Sequence, residues 1–286
     1  MQGAGNDFVL VEATGDERDW PRLAMAMCDR HYGIGADGLL LVMPSRQAAV
    51  RMRVLNPDGS EAEMCGNGVR CLAKYAVEKG LAKPADGRFA IETAAGVVSV
   101  EVSGEGGKVD EVRVGMGMPR LAPEEIPVLS DAKPPLVNLP LEVDRGSTRE
   151  IIPVTCLSMG NPHAVQLVND PVAGYPLEDI GPRVATHPLF PRGVNFEVAR
   201  VIDRKHVEAR VWERGAGLTL ACGSGACALM VAARLQGLVD DTVDITLPGG
   251  ILKLEWDGNG SVYLTGPAAT VFSGEWPLEE DRYPPS

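Results

Sequence analysis

A chain of 286 residues, 45% hydrophobic and 23% charged, has an ordinary globular composition and the length for two compact domains, each with its own core. Its 27 Lys and Arg against 39 Asp and Glu leave a net charge of -12, which argues against a nucleic-acid surface but permits a small anionic substrate held by a few local donors. No stretch approaches the roughly 20 consecutive apolar residues of a membrane span. The start, Met1 to Asp7, lacks the basic segment and apolar run of a signal peptide, and six cysteines are too few here for a disulfide scaffold, so a reducing cytoplasm is the expected compartment.

In chain order, Gly5-Asn6 opens a strand-like run from Phe8 to Val11, and apolar spacing predicts a helix over Leu23 to His31. Gly33-Ile34-Gly35-Ala36-Asp37-Gly38 spells the dinucleotide pattern G-x-G-x-x-G. Its context is inverted, because the helix comes before it and the strand-like Leu39 to Val42 after, so it is rejected as a nucleotide site. A Cys-Gly-x-Gly turn at Cys65 then leads a helix that meets a capping glycine at Gly80. Strand-like pieces follow at Val97 to Val102 and Val109 to Val114, and the Pro-rich stretch from Pro119 to Pro140 is the expected linker. Gly160-Asn161 opens another strand-like run, Ala164 to Val168, followed by His206 to Trp212. A second Cys-Gly-x-Gly turn at Cys222 leads a helix ending near Gly237, with strands expected at Val243 to Leu247 and Ile251 to Trp256. Glu279 to Ser286 has the composition of a loose polar tail.

The two halves repeat each other. Apolar residues fall four, seven, eight and eleven places after each cysteine: Val69, Leu72, Ala73 and Ala76, then Ala226, Leu229, Met230 and Ala233. Asn6 precedes Cys65 by 59 residues and Asn161 precedes Cys222 by 61; Asn56 and Glu213 each stand nine before their cysteine. The same order of strand, excursion, turn and helix predicts an α+β fold of two pseudo-symmetric domains. Each is a mostly antiparallel sheet wrapped on a central helix, with the active site in the interdomain cleft. The domains expected are 1–118 with about 267–286, and 119–266.

A cysteine at a helix start sits where N–H groups and the helix dipole favour an anion, so both thiols are expected to be lowered toward thiolate near neutrality. Flanking glycines let backbone N–H groups form a nest for a carboxylate. Two such turns suit stereochemical inversion, one thiolate removing an α-proton while the other thiol delivers one to the opposite face. Neither turn contains a lysine for a pyridoxal Schiff base, and the spacings Cys65 to Cys71 and Cys222 to Cys227 lack the short pattern of a zinc site, so no cofactor and no metal are expected. Cys28, Cys71, Cys156 and Cys227 read as small buried apolar residues.

The run Asn56-Pro57-Asp58-Gly59-Ser60-Glu61-Ala62-Glu63-Met64-Cys65-Gly66-Asn67-Gly68-Val69-Arg70-Cys71 resembles the first signature of diaminopimelate epimerases. Gly5-Asn6-Asp7-Phe8, Gly160-Asn161-Pro162-His163, Val194-Asn195-Phe196-Glu197, Glu213-Arg214-Gly215 and Ala221 to Cys227 match further blocks in order, so the resemblance spans about Gly3 to Gly274. It implies cofactor-independent interconversion of LL- and meso-diaminopimelate in lysine and peptidoglycan-precursor synthesis, commonly by a homodimer. It further implies that Cys65 and Cys222 are the acid/base pair, with His163 and Glu213 beside them. Asn6, Asn56, Asn161, Asn195 and Arg214 would hold the distal amino-acid end, while Gly66-Asn67 and Gly223-Ser224 would receive the reacting carboxylate.

Three features depart from the family pattern: a short start ahead of Gly3, Gly38 where some members carry a substrate-contacting glutamine, and Ser224 where threonine is commoner. Proline or hydroxyproline epimerases pair cysteines without needing the amide- and Arg-rich pocket. A thiol redox sensor could oxidise the pair but gives no role to the Asn/Arg set, and a non-catalytic amino-acid binder has no use for both thiols.

Overall fold

The computed structural model describes residues 1–15, 18–146 and 148–277; the polar tail expected over Glu279 to Ser286 lies outside them. The chain divides into two compact units, Met1–Val112 with Pro267–Ser286, and Arg113–Gly266. The first division precedes the proline-rich stretch. That stretch belongs to the second unit because Ile126, Val128 and Leu136 are buried in its core.

The first unit contains β1 (Gln2–Gly3), β2 (Asn6–Glu12), α1 (Trp20–Cys28), β3 (Gly38–Met43), β4 (Val50–Leu55), β5 (Glu61–Ala62), α2 (Gly66–Glu78), β6 (Arg88–Thr93) and β7 (Gly96–Ser103), with β8 (Glu111–Gly115) at the division. Asp19 caps α1 by accepting the Arg22 N–H, and Pro21 sits in the first turn, where its missing N–H costs nothing. The helix stops at Cys28 rather than at the expected His31, because the Asp29 carboxylate takes the N–H groups of His31 and Tyr32 into a turn. The short start is paired: Gln2 and Gly3 lie opposite Asp7 and Asn6, and Gln2 also bridges to Ala269. β3 is a continuous apolar run buried on both faces. Leu39 and Leu41 join Trp20, Ala24, Met27 and Cys28 on the α1 side, while Leu40 lies against Gly68 of α2. Around α2 the sheet contributes β1, β2, β3, β4 and β7.

The second unit contains β9 (Leu136–Asp144), β10 (Arg149–Ser158), β11 (Pro162–Leu167), a 3₁₀ turn (Val172–Gly174), α3 (Leu177–Ala185), β12 (Asn195–Val201), β13 (His206–Glu213), β14 (Gly217–Thr219), α4 (Gly223–Leu235), β15 (Thr242–Leu247), β16 (Gly250–Glu255) and β17 (Tyr263–Pro267), the last reaching the division. Helix α3 covers the outer face, where Leu177, Ile180 and Val184 pack with Phe196 and Val198. Helix α4 is wrapped by β10, β11, β12 and β16.

Register makes the repeat concrete. β2–β3 and β11–β12 are parallel pairs; β3–β4 and β12–β13 are antiparallel; β4–β6 and β13–β15 are parallel; β6–β7 and β15–β16 are antiparallel hairpins. Phe8↔Gly38 corresponds to His163↔Asn195, Leu39↔Leu55 to Phe196↔Trp212, and Val50↔Ile91 to Val207↔Ile245. The sheets are therefore mixed, with parallel pairs where the excursions carry α1 or α3 (β2–β3, β11–β12) and where they carry α2 or α4 (β4–β6, β13–β15).

Candidate active site

Each Cys-Gly turn ends a strand excursion and begins the buried helix of its unit. Cys65 and Cys222 are the N-cap residues of α2 and α4, both extended, with φ and ψ of -139° and 112° and of -120° and 118°. The first helical bonds, from Val69 and Ala226, return to the two cysteine carbonyls. Gly66, Gly223 and Ser224 thus lie in the turn whose N–H groups have no helical carbonyl to bond.

In the first unit, Cys65 is half-buried and its Sγ lies 3.8 Å from Asn6 Oδ1, which also accepts the Asn67 amide at 3.3 Å. Asn6 in turn donates to Asp37 at 2.7 Å. Arg30 bridges Asp37 and Asp7, and those hydrogen bonds, working against burial, hold the Asp7 carboxyl below its usual range. Beneath the turn lies Arg70, a fully buried guanidinium. It donates to Asn67 Oδ1 at 2.8 Å and to the carbonyls of Gly66 and Pro267 at 3.4 and 3.2 Å. The loop is thus fixed from below by a cation on the same helix, four residues after Gly66. Asn56 is turned to its own loop, its amide donating to Ser60 Oγ at 2.9 Å.

In the second unit, Cys222 Sγ accepts the Gly225 N–H at 3.4 Å and lies 3.4 Å from Ser224 Oγ. Those two contacts favour thiolate. They lose to burial, reinforced by the negative charges of Glu213 and Glu197, which together push the Cys222 thiol well above its ordinary value. The lowering expected from its helix position is therefore reversed at Cys222. Glu213 is itself raised, mainly by burial, although hydrogen bonds from Thr219 (2.8 Å) and Cys222 oppose the shift. His163, fully buried, places Nδ1 2.7 Å from Glu197 Oε1 and Nε2 2.9 Å from Asn161 Oδ1. Asn195, opposite His163 in the parallel ladder, accepts the Arg214 N–H at 3.0 Å, and the Arg214 guanidinium donates to the Arg192 carbonyl.

The structure therefore groups Asn6 and Asn67 with Cys65, Glu213 and Ser224 with Cys222, Asn161 with His163, and Asn195 with Arg214. Cys28, Cys71 and Cys156 are buried, and desolvation raises their thiols to about 11, 12 and 12, which keeps them protonated and inert. Four participants escaped the sequence reading: Asp37, Arg70, Thr219 and Glu197. The last had a signal, since it is a carboxylate flanked by Phe196 and Val198, at the place where the first half carries Leu40.

A family model described as diaminopimelate epimerase matches residues 1–122 and 155–271. The chain is 50% identical over 282 residues to a diaminopimelate epimerase of Moorella thermoacetica, and 48% identical over 284 residues to one of Heliobacterium modesticaldum, covering at least 97% of this chain and 98% of each relative. Among solved structures, a probable proline racemase from Agrobacterium radiobacter superposes with a TM-score of 0.72 at 16% identity, covering 98% of this chain and 92% of that one. A hydroxyproline epimerase from Agrobacterium vitis gives 0.64 at 17%, covering 93% and 87%. At such identities these two share the fold alone.

Proposed function

Because the chain belongs to the diaminopimelate epimerase family and is an isomerase, we propose that it interconverts LL- and meso-diaminopimelate by a two-cysteine acid/base mechanism, without cofactor or metal, on the route to lysine and peptidoglycan precursors. The observation that carries this reading is the pair of N-capping cysteines at corresponding registers, each beside a polar partner in its own unit: Asn6 for Cys65, Glu213 for Cys222.

The two cysteines differ in burial, Cys222 being buried and Cys65 half-buried. Burial and two neighbouring carboxylates keep Cys222 a neutral thiol in the substrate-free protein, which suits it to deliver a proton. Cys65, less buried, acts as the thiolate base in that direction, removing the α-proton from one face while Cys222 gives its own to the other. Cys222 is then the thiolate and Cys65 the thiol, so the opposite direction runs with roles exchanged. Glu213, whose carboxyl burial raises above its ordinary value, sits where it can exchange a proton with Cys222.

The substrate carboxylate beside the reacting carbon is received by backbone N–H groups at Gly66-Asn67 and Gly223-Ser224, which the first turns of α2 and α4 present without bonding internally. Asn6, Asn56, Asn161, Asn195 and Arg214 bind the distal end, whose ammonium and carboxylate call for amide oxygens and a guanidinium. Solvent exclusion around these groups lowers the cost of the carbanion-like transition state. A cytoplasmic homodimer is the assembly proposed.

Proton NMR of LL-diaminopimelate with the reduced protein in D₂O tests the reading. Loss of the α-proton signal as the meso isomer appears supports it; exchange on proline or hydroxyproline with none on diaminopimelate would replace it with the sister activity.

A further inference from the structure

The two units match in the register of four strand pairs, yet at one place their chemistry differs. Phe8 and Leu40 in the first unit correspond to His163 and Glu197 in the second. Leu40 faces inward from β3 and would lie 3.1 Å from a Cβ added at Gly68; Glu197 faces inward from β12 and would lie 2.8 Å from one added at Gly225. An apolar pair has been exchanged for a fully buried imidazole and carboxylate bonded at 2.7 Å. Glu197 Oε2 has no hydrogen-bond partner. A buried carboxylate with one unsatisfied oxygen is destabilising beside a leucine of similar size, so its presence calls for a use.

Three elements pack charged or titratable groups around it: His163 from β11, Glu213 from β13, and Cys222 at the start of α4. Gly225, against which Glu197 rests, donates its N–H to the Cys222 sulfur. We propose that Glu197 is a positioning residue of the epimerase reaction, holding His163 at Nδ1 so that its ring is oriented with Nε2 toward Asn161 Oδ1, and biasing Cys222 toward the neutral thiol through its charge. A His whose one nitrogen is committed to a carboxylate has its tautomer and ring plane set for the other nitrogen. Glu197 itself touches no reacting atom. The inference rests on the reaction proposed above, but its second half, the charge on Cys222, is readable without substrate.

The test compares wild type with Glu197→Gln and Glu197→Asp by steady-state epimerisation and by the pH profile of Cys222 alkylation with iodoacetamide, resolved at the Cys222 peptide by mass spectrometry. Glutamine keeps an acceptor for Nδ1 and removes the charge; aspartate keeps the charge and withdraws it from the ring. The expected result for Glu197→Gln is a fall in kcat of at least about tenfold with little change in KM, and a Cys222 alkylation profile displaced to lower pH. For Glu197→Asp, kcat falls while the alkylation profile stays near that of wild type. A purely structural carboxylate would alter stability without moving the Cys222 profile. Wild-type kcat together with an unmoved profile in Glu197→Gln overturns the proposal. Failure of both variants to fold overturns it too, by making the pair a packing element. Should wild type not act on diaminopimelate, the reaction reading fails on that ground alone, and the alkylation profiles still decide whether Glu197 governs Cys222.

Discussion

Gly225 stands between Glu197 and Cys222: its N–H bonds the sulfur at 3.4 Å, and a Cβ on it would meet the carboxylate at 2.8 Å. A Cβ on its counterpart Gly68 would meet the flexible tip of Leu40 at 3.1 Å and Cys65 Cβ at an ordinary 3.5 Å. The pair gives a contrast that thermal or denaturant unfolding can read. Gly225→Ala is expected to cost about 1–3 kcal/mol through overpacking. Gly68→Ala should fall well below that, because Leu40 can shift and alanine gains up to about 1 kcal/mol of helix propensity. Equal losses would show that the carboxylate yields as easily as the leucine.

Cys65→Ser and Cys222→Ser should each leave the circular dichroism spectrum unchanged and lower epimerisation by at least about 100-fold, the contribution of one positioned acid or base. Epimerisation above a tenth of wild type in either variant would remove that cysteine from the mechanism.

Arg70 carries a buried charge satisfied by three oxygens of the first unit. Arg70→Met keeps the length and strips the donors, leaving Asn67 and two carbonyls to find other partners. A loss of about 2–4 kcal/mol is expected from chemical denaturation, with a raised KM as the Cys65 loop loosens. An unchanged KM would mean the loop is held by its other contacts.

The pH dependence follows from the two raised groups around the second turn. An acid whose folded pKa lies above its unfolded value contributes stability at pH below the unfolded value and loses it as pH rises. For Cys222 that loss begins near its ordinary value of 9.0; for Glu213 it begins near 4.5, so it is already under way at neutrality. Glu213→Gln should therefore flatten the stability profile in the range above about pH 4.5. By removing a negative charge it should also shift the Cys222 alkylation profile to lower pH. A profile as steep as that of wild type would place the Glu213 effect elsewhere.

Much of this arrangement was legible in the residues. A Cys-Gly-x-Gly turn with helical spacing behind it fixes a helix start, because glycine and a helical stripe leave few other conformations, and the matched offsets of Asn6 with Asn161 and Asn56 with Glu213 survive as strand register. Other parts were hidden by local signals that tertiary packing overruled. Pro140 closed the stretch expected as linker, yet it lies within β9 and pairs with Pro153 of β10; Pro182 masked α3, which forms because Leu177, Ile180 and Val184 bury one face. The state of Cys222 was misread because spacing reports the helix terminus but not the burial that outweighs it. Arg70 was unreadable for a related reason: nothing in its sequence neighbourhood shows that the surrounding chain closes over it.

The protonated state of Cys222 bears on inhibitor chemistry. Electrophiles chosen for their appetite for thiolates, such as simple haloacetamides, will meet a sulfur that still carries its hydrogen and should label it slowly at neutral pH. With the carboxylate role proposed for Gly223 and Ser224, a selective covalent ligand for this turn would pair a carboxylate with a warhead that becomes reactive only once the sulfur surrenders its proton to the bound molecule itself.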